Sequence, residues 1–166
     1  MPPELAKLSY AGSFSWTDSK GEDRYRRGMY TFFKRTIPHP TLMTFDCPDA
    51  NTTNVKRTVS NTPLQALTTL NAEAFSEAAK ALAKHVLESG LANDDERITR
   101  MFRTCVSRPP NEKETKSLRA LLYDSRGWYA KHAEEAKTLT KGYESKQAST
   151  DELASWTATA RIVLNL

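Results

Sequence analysis

His39, Asp46 and Asp49 lie within a short proline-rich stretch, and a histidine and two carboxylates are residue types that general acid–base hydrolysis uses. A carboxylate pair serves glycoside chemistry when one member stays protonated while the other is ionised. His39 sits between Pro38 and Pro40, which hold it in a loop, and it has no companion at metal-ligand spacing. A conformational or hydrogen-bonding role therefore needs less of the chain than catalysis does. In Phe45-Asp46-Cys47-Pro48-Asp49-Ala50-Asn51, the two aspartates can bind a cation or cap local N–H groups, and capping needs fewer coincidences. The three residues remain weak catalytic candidates, and no metal site is expected.

A second kind of chemistry is carried by Arg24, Tyr25, Arg26, Arg27, Tyr30, Lys34 and Arg35, where cations alternate with aromatic rings, and by Lys56 and Arg57 further on. Guanidinium groups bind anions while aromatic faces stack, so these residues form the candidate binding set. The competing reading packs Tyr30, Phe32 and Phe33 into a core and lets the basic side chains cover its edge. The net charge is +4, from 24 basic and 20 acidic residues, and most of the excess lies before residue 64. That density is modest beside the surfaces that grip a phosphate backbone, so nucleic acid is the least supported ligand.

Cys47 and Cys105 are the two cysteines, without CxxC spacing, and are expected to be free. The haem-attachment pattern CxxCH is absent, so no cofactor is expected in this chain. No apolar run reaches the roughly 20 residues of a transmembrane helix, and Met1-Pro2-Pro3-Glu4 does not open a signal peptide.

The elements that must position these groups are legible from capping signals. In Thr62-Pro63-Leu64-Gln65, Thr62 caps a first turn, Pro63 sacrifices no useful N–H and Gln65 closes a capping box. Leu64, Leu67 and Leu70 follow on one face. Asn71 is expected to cap the next helix, whose apolar face runs through Ala74, Phe75, Ala78, Ala79, Leu82, Val86 and Leu87, with His85 at its boundary or in the core and a stop at Gly90. Asn93 or Asp94 opens a helix with Ile98, Met101, Phe102, Cys105 and Val106 inward. Asn111 with Glu114 opens another, with Leu118, Leu121, Leu122 and Trp128 or Tyr129 inward, and the two are expected to neighbour each other in a bundle. Ala133 to Leu139 reads as a short helix. Ser149 with Glu152 opens the last, carrying Leu153, Trp156, Ala160, Val163 and Leu164. The residues before Asp23, with Leu5, Leu8, Tyr10, Phe14 and Trp16, suggest an extended segment that needs a partner surface.

The predicted fold is all-α or mostly α: residues 1–61 mostly irregular, then an antiparallel helical bundle over 62–166, within a single and partial domain. Both chain ends are expected to be boundaries inside a larger protein.

Taken together, Tyr25 to Pro40, Met43 to Asp49, Arg57 to Leu67 and the ending Trp156 to Leu166 resemble the C-terminal part of the planctomycete-type domain of unknown function, family 1553, over most of the chain. Ala72-Glu73 stands where relatives commonly carry Asp-Pro. The resemblance implies a helical module of a large exported protein that often also carries a cytochrome c-like haem region. It implies an extracytoplasmic parent, with the parent's other domains as partners, and supplies no catalytic residues. The expected function is an accessory or interaction module that binds an acidic glycan or an acidic protein. The alternatives are a carbohydrate-processing or other hydrolytic enzyme, and a nucleic-acid-binding module.

Overall fold

The computed structural model describes residues 17–34 and 37–166, and all regular structure among them is helical. The expected extended segment from Leu5 to Trp16, and Arg35, lie outside the described residues. Contacts divide the chain into two compact units, Met1–Thr68 and Thr69–Leu166.

In the first unit, the described chain makes 3-10 turns at Gly21–Tyr25 and Gly28–Tyr30 and then a short helix, α1 (Pro40–Thr44), with Pro40 at its first position. Gly28 lies against α1 so closely that a Cβ there would stand 3.0 Å from Leu42 Cδ2. The long helix series opens with α2 (Pro63–Asn71). Its capping box forms as expected: Gln65 N–H donates to Thr62 Oγ1 at 3.3 Å, and Thr62 N–H donates to Gln65 Oε1 at 3.0 Å. Leu64 and Leu67 nevertheless point to solvent, and the residue this helix buries is Gln65. Polar demand at the helix start has displaced the apolar face that its spacing suggested.

The second unit holds the core. Helix α3 (Glu73–Leu87) begins after Ala72, whose extended backbone makes the break without any side-chain cap; Asn71 ends α2 instead of capping α3. The break therefore survives without Asp-Pro. Its buried face is Ala79, Ala83, Val86 and Leu87, rotated from the expected stripe so that Ala74, Ala78 and His85 are exposed. Gly90, at φ 72°, supplies the left-handed turn that follows. Helix α4 (Asp94–Val106) is capped by Asn93, which accepts from Glu96 N–H at 2.9 Å, and buries Ile98, Met101 and Phe102. Helix α5 (Glu112–Tyr129) begins with both halves of its capping box and buries Leu118 and Leu122. Trp128 is exposed rather than inward, stacked on His132 at 3.7 Å between ring centroids. Helix α6 (Ala133–Thr140) falls where the short helix was expected.

Helix α7 (Thr150–Val163) is the axis on which α3, α5 and α6 pack. Leu153, Trp156, Ala160 and Val163 are buried as predicted, but so are Ala154, Ser155, Thr157 and Thr159, so nearly the whole circumference is covered. The hydroxyls tolerate this because each donates to the carbonyl four residues back: Ser155 to Asp151, Thr157 to Leu153 and Thr159 to Ser155. No helix among the described residues is long and apolar enough to cross a membrane.

Candidate interaction surface

Residues 17–30 are exposed throughout. Arg24 lies over the Tyr25 ring at 5.8 Å and Arg27 over the Tyr30 ring at 5.9 Å, while Arg26 pairs with Asp23 at 2.8 Å. At this exposure such contacts orient side chains more than they stabilise the fold. Tyr30 and Phe32 are 59% and 54% exposed, which overturns the reading that buried them in a core; Phe33 and Lys34 are half-buried. The physical reason is local: two short 3-10 turns separated by extended residues give no continuous face on which the rings can be buried.

Lys56 and Arg57 occupy a different stretch, the irregular and wholly exposed run 49–61, where with Thr58 and Val59 they line an open groove. The base of this run is built by hydrogen bonds. Asp46 adopts the left-handed conformation, which aspartate tolerates, at φ 57°. Its Oδ2 accepts from Ser60 N–H at 2.8 Å, from Ser60 Oγ–H at 2.7 Å and from Gln65 Nε2–H at 3.3 Å. Gln65 Nε2 also reaches the Thr44 carbonyl and Ser60 Oγ, both at 3.0 Å. The glutamine thus caps α2 with its oxygen and fastens the end of α1 with its nitrogen.

The hydrogen-bond partners of the catalytic candidates follow from this arrangement. Asp49 accepts from Asn51 N–H at 3.0 Å and from its side chain at 3.1 Å, so Asp49 acts as a local cap while Asp46 ties together residues distant in sequence. The bonds from Ser60 hold the Asp46 carboxyl below the usual carboxylate range, and those from Asn51 do the same for Asp49. These bonds favour the ionised form of both side chains. His39 is half-buried at the residue preceding α1, and burial lowers its pKa. Among the described residues, no three His, Cys, Asp or Glu side chains gather as metal ligands. Cys47 and Cys105 are free, and burial raises the Cys105 pKa.

Sequence reasoning missed two polar clusters. One is the Asp46–Ser60–Gln65 clamp, signalled only by the glutamine of the capping box. The other lies in the second unit: Arg126 is bidentate to Asp94 and also bidentate to Glu152, whose Oε1 accepts from Trp156 Nε1–H at 2.8 Å. Glu152 was expected to close a capping box with Ser149. Ser149 does accept from Glu152 N–H, at 3.4 Å, but the carboxylate turns to Arg126 and Trp156. The cluster joins α4, α5 and α7 through opposite charges, a structural use of polar groups rather than a binding surface.

No curated protein and no solved structure matches the chain. The family model of the PSD1 proteins of unknown function (DUF1553) matches residues 3–122, which is most of the chain and ends within α5 at Leu122. The resemblance carried by the basic aromatic stretch and the Arg57 to Leu67 motif is thereby established, and the chain belongs to this family of proteins of unknown function (DUF1553).

Proposed function

We propose that the chain is an interaction module of a larger exported protein, and that its first unit docks on an acidic protein surface, in the first instance another domain of the parent. The observation that supports this most directly is the exposure of Tyr25, Met29, Tyr30 and Phe32 beside Arg24, Arg26 and Arg27. A fully buried side chain of this size contributes roughly 1.5–3 kcal/mol, so leaving several in water forgoes stability that a partner can restore. Residues 17–34 carry five cations against three anions, one of which, Asp23, pairs with Arg26, and residues 50–63 carry Lys56 and Arg57 and no anion, which sets the sign of the partner. Exposed Met29, Val55 and Val59 favour protein over glycan, because these flexible or branched apolar groups match apolar side chains better than hydroxyl-rich sugar faces. A covalently linked partner domain also meets this surface at high effective concentration, so weak contacts suffice. On this reading the module needs no cofactor of its own and works outside the cytoplasm with its parent.

The test is binding of the full chain to a labelled random glutamate–leucine copolymer, a heparin oligosaccharide and a short DNA duplex, each at two salt concentrations. The copolymer is expected to bind with an affinity that falls as salt rises, and Arg26→Ala/Arg27→Ala is expected to weaken it while far-UV circular dichroism stays unchanged. Failure to bind the copolymer, or stronger binding of heparin or DNA, overturns the protein reading.

A further inference from the structure

We propose that Asp46, Ser60 and Gln65 are positioning residues that close the run between them into a preformed contact loop, which presents Val55, Lys56, Arg57 and Val59 to the same acidic partner. This deepens the interaction reading above and rests on it. The run contains no helix, and Val55 and Val59 are 100% and 92% exposed, so the side chains of its middle provide no packing that would hold its shape. Apart from the Asp49–Asn51 turn, the bonds that hold it are at its ends. Ser60 is 14 residues beyond Asp46, yet its amide and hydroxyl both donate to the Asp46 carboxylate, and Gln65 donates to Ser60 Oγ, Asp46 Oδ2 and the Thr44 carbonyl. A loop whose ends are pinned while its middle is solvated is the usual form of a surface recognition element. Pinning also removes much of the ordering cost of association, which otherwise subtracts from affinity.

The chemistry of Gln65 gives the proposal its selectivity. Its oxygen serves the α2 cap through Thr62 N–H, and its nitrogen serves the clamp. Glutamate at this position would keep the capping oxygen but lose every donor to the clamp, and would set a second carboxylate beside Asp46. The short helix α1 connects both basic elements: Gly28 of the aromatic segment lies against Leu42, while Thr44 and Asp46 at its far end are fastened to Gln65. The clamp therefore sets loop geometry without itself supplying positive charge.

The decisive experiment uses the full chain and the glutamate–leucine copolymer, with affinity measured across a salt series. Lys56→Ala/Arg57→Ala is expected to weaken binding and flatten its salt dependence, because it removes charge. Ser60→Ala is expected to weaken binding about five- to tenfold with the salt dependence unchanged, because it removes preorganisation alone. Ser60→Thr, which keeps the hydroxyl, is expected to restore binding. Gln65→Glu is expected to weaken binding while retaining helical content. Trypsin cleavage after Lys56 and Arg57, followed by mass spectrometry, is expected to accelerate several-fold in Ser60→Ala and Gln65→Glu. Wild-type affinity and cleavage rate in both clamp variants overturn the positioning role. Unchanged binding in Lys56→Ala/Arg57→Ala, with loss in Arg26→Ala/Arg27→Ala, overturns the loop as a contact and leaves the interaction reading standing. Unchanged binding in both arginine-containing pairs overturns that reading as well.

Discussion

Replacing Arg126 with methionine removes the one cation shared by Asp94 and Glu152 and leaves two carboxylates facing each other, since both accept from the same Nη2. Breaking a fully buried pair costs roughly 3–5 kcal/mol, whereas an exposed pair contributes roughly 0–1 kcal/mol. The Arg126 side chain is 36% exposed and its partners are less so. Screening at that exposure brings the expected loss to about 2 kcal/mol. For a unit of this size such a loss lowers Tm by roughly 8–16 °C, well within the reach of thermal melts followed by far-UV circular dichroism. The loss also has a pH signature. Hydrogen bonds from Arg126 lower the Asp94 pKa from its ordinary value of 3.8. Its contribution is therefore complete above that value and disappears as pH falls through the lower folded-state pKa, so the gap between wild type and variant narrows in acid. Adding Glu152→Gln to Arg126→Met should recover about half of the loss, because it removes one of the facing charges and keeps an acceptor for Trp156 Nε1–H. An Arg126→Met protein within about 0.5 kcal/mol of wild type, or further destabilisation by the second change, would refute this account of the cluster.

The remaining predictions concern helix starts and the core. Asn111→Ala should lower stability by about 1 kcal/mol in denaturant titration, because it removes the acceptor for Glu114 N–H. In the same box, the Arg108 hydrogen bonds hold the Glu114 pKa at about 2, so its contribution is complete above the ordinary 4.5 and is lost progressively as pH falls from there to about 2. A melt series should show the Glu114→Gln effect shrinking between about pH 4.5 and pH 2. Leu122→Ala should cost about 2–5 kcal/mol by opening a cavity, since Leu122 is 1% exposed. Leu67→Ala, at a position 57% exposed, should cost about 1 kcal/mol or less, and equal melts for the two variants would contradict the burial pattern.

Much of the helical layout was legible because its signals are local. Asn93, Asn111, Thr62 and Ser149 each accept from an amide three residues on, a relation that sequence spacing states directly. The facing of helices was less legible, because it is decided by the neighbour. The α3 stripe runs through Ala79, Ala83 and Val86 rather than Ala74 and Ala78, and α2 turns Gln65 inward instead of Leu67. The clamp was invisible for the same reason: nothing in the order of residues announces that Ser60 will meet Asp46. The basic aromatic residues were identifiable by type, but their exposure was not, since rings beside arginines suit a core edge as well as a surface.

The two units show why type and exposure must be read together. In α7, residues that look fit for a surface, Ser155, Thr157 and Thr159, are buried because each satisfies its hydroxyl within its own helix, and Ala154 and Ala160 let neighbours approach. Around Tyr25 to Phe32, residues that look fit for a core are exposed because short turns cannot gather them on one face. The buried hydroxyls of α7 are accounted for by bonds within their own helix, and so need no ligand to explain them. The rings of Tyr25, Tyr30 and Phe32 are more than half exposed beside a cluster of arginines. Burial thus follows from what each segment can satisfy or gather locally, and residue type alone indicates neither outcome.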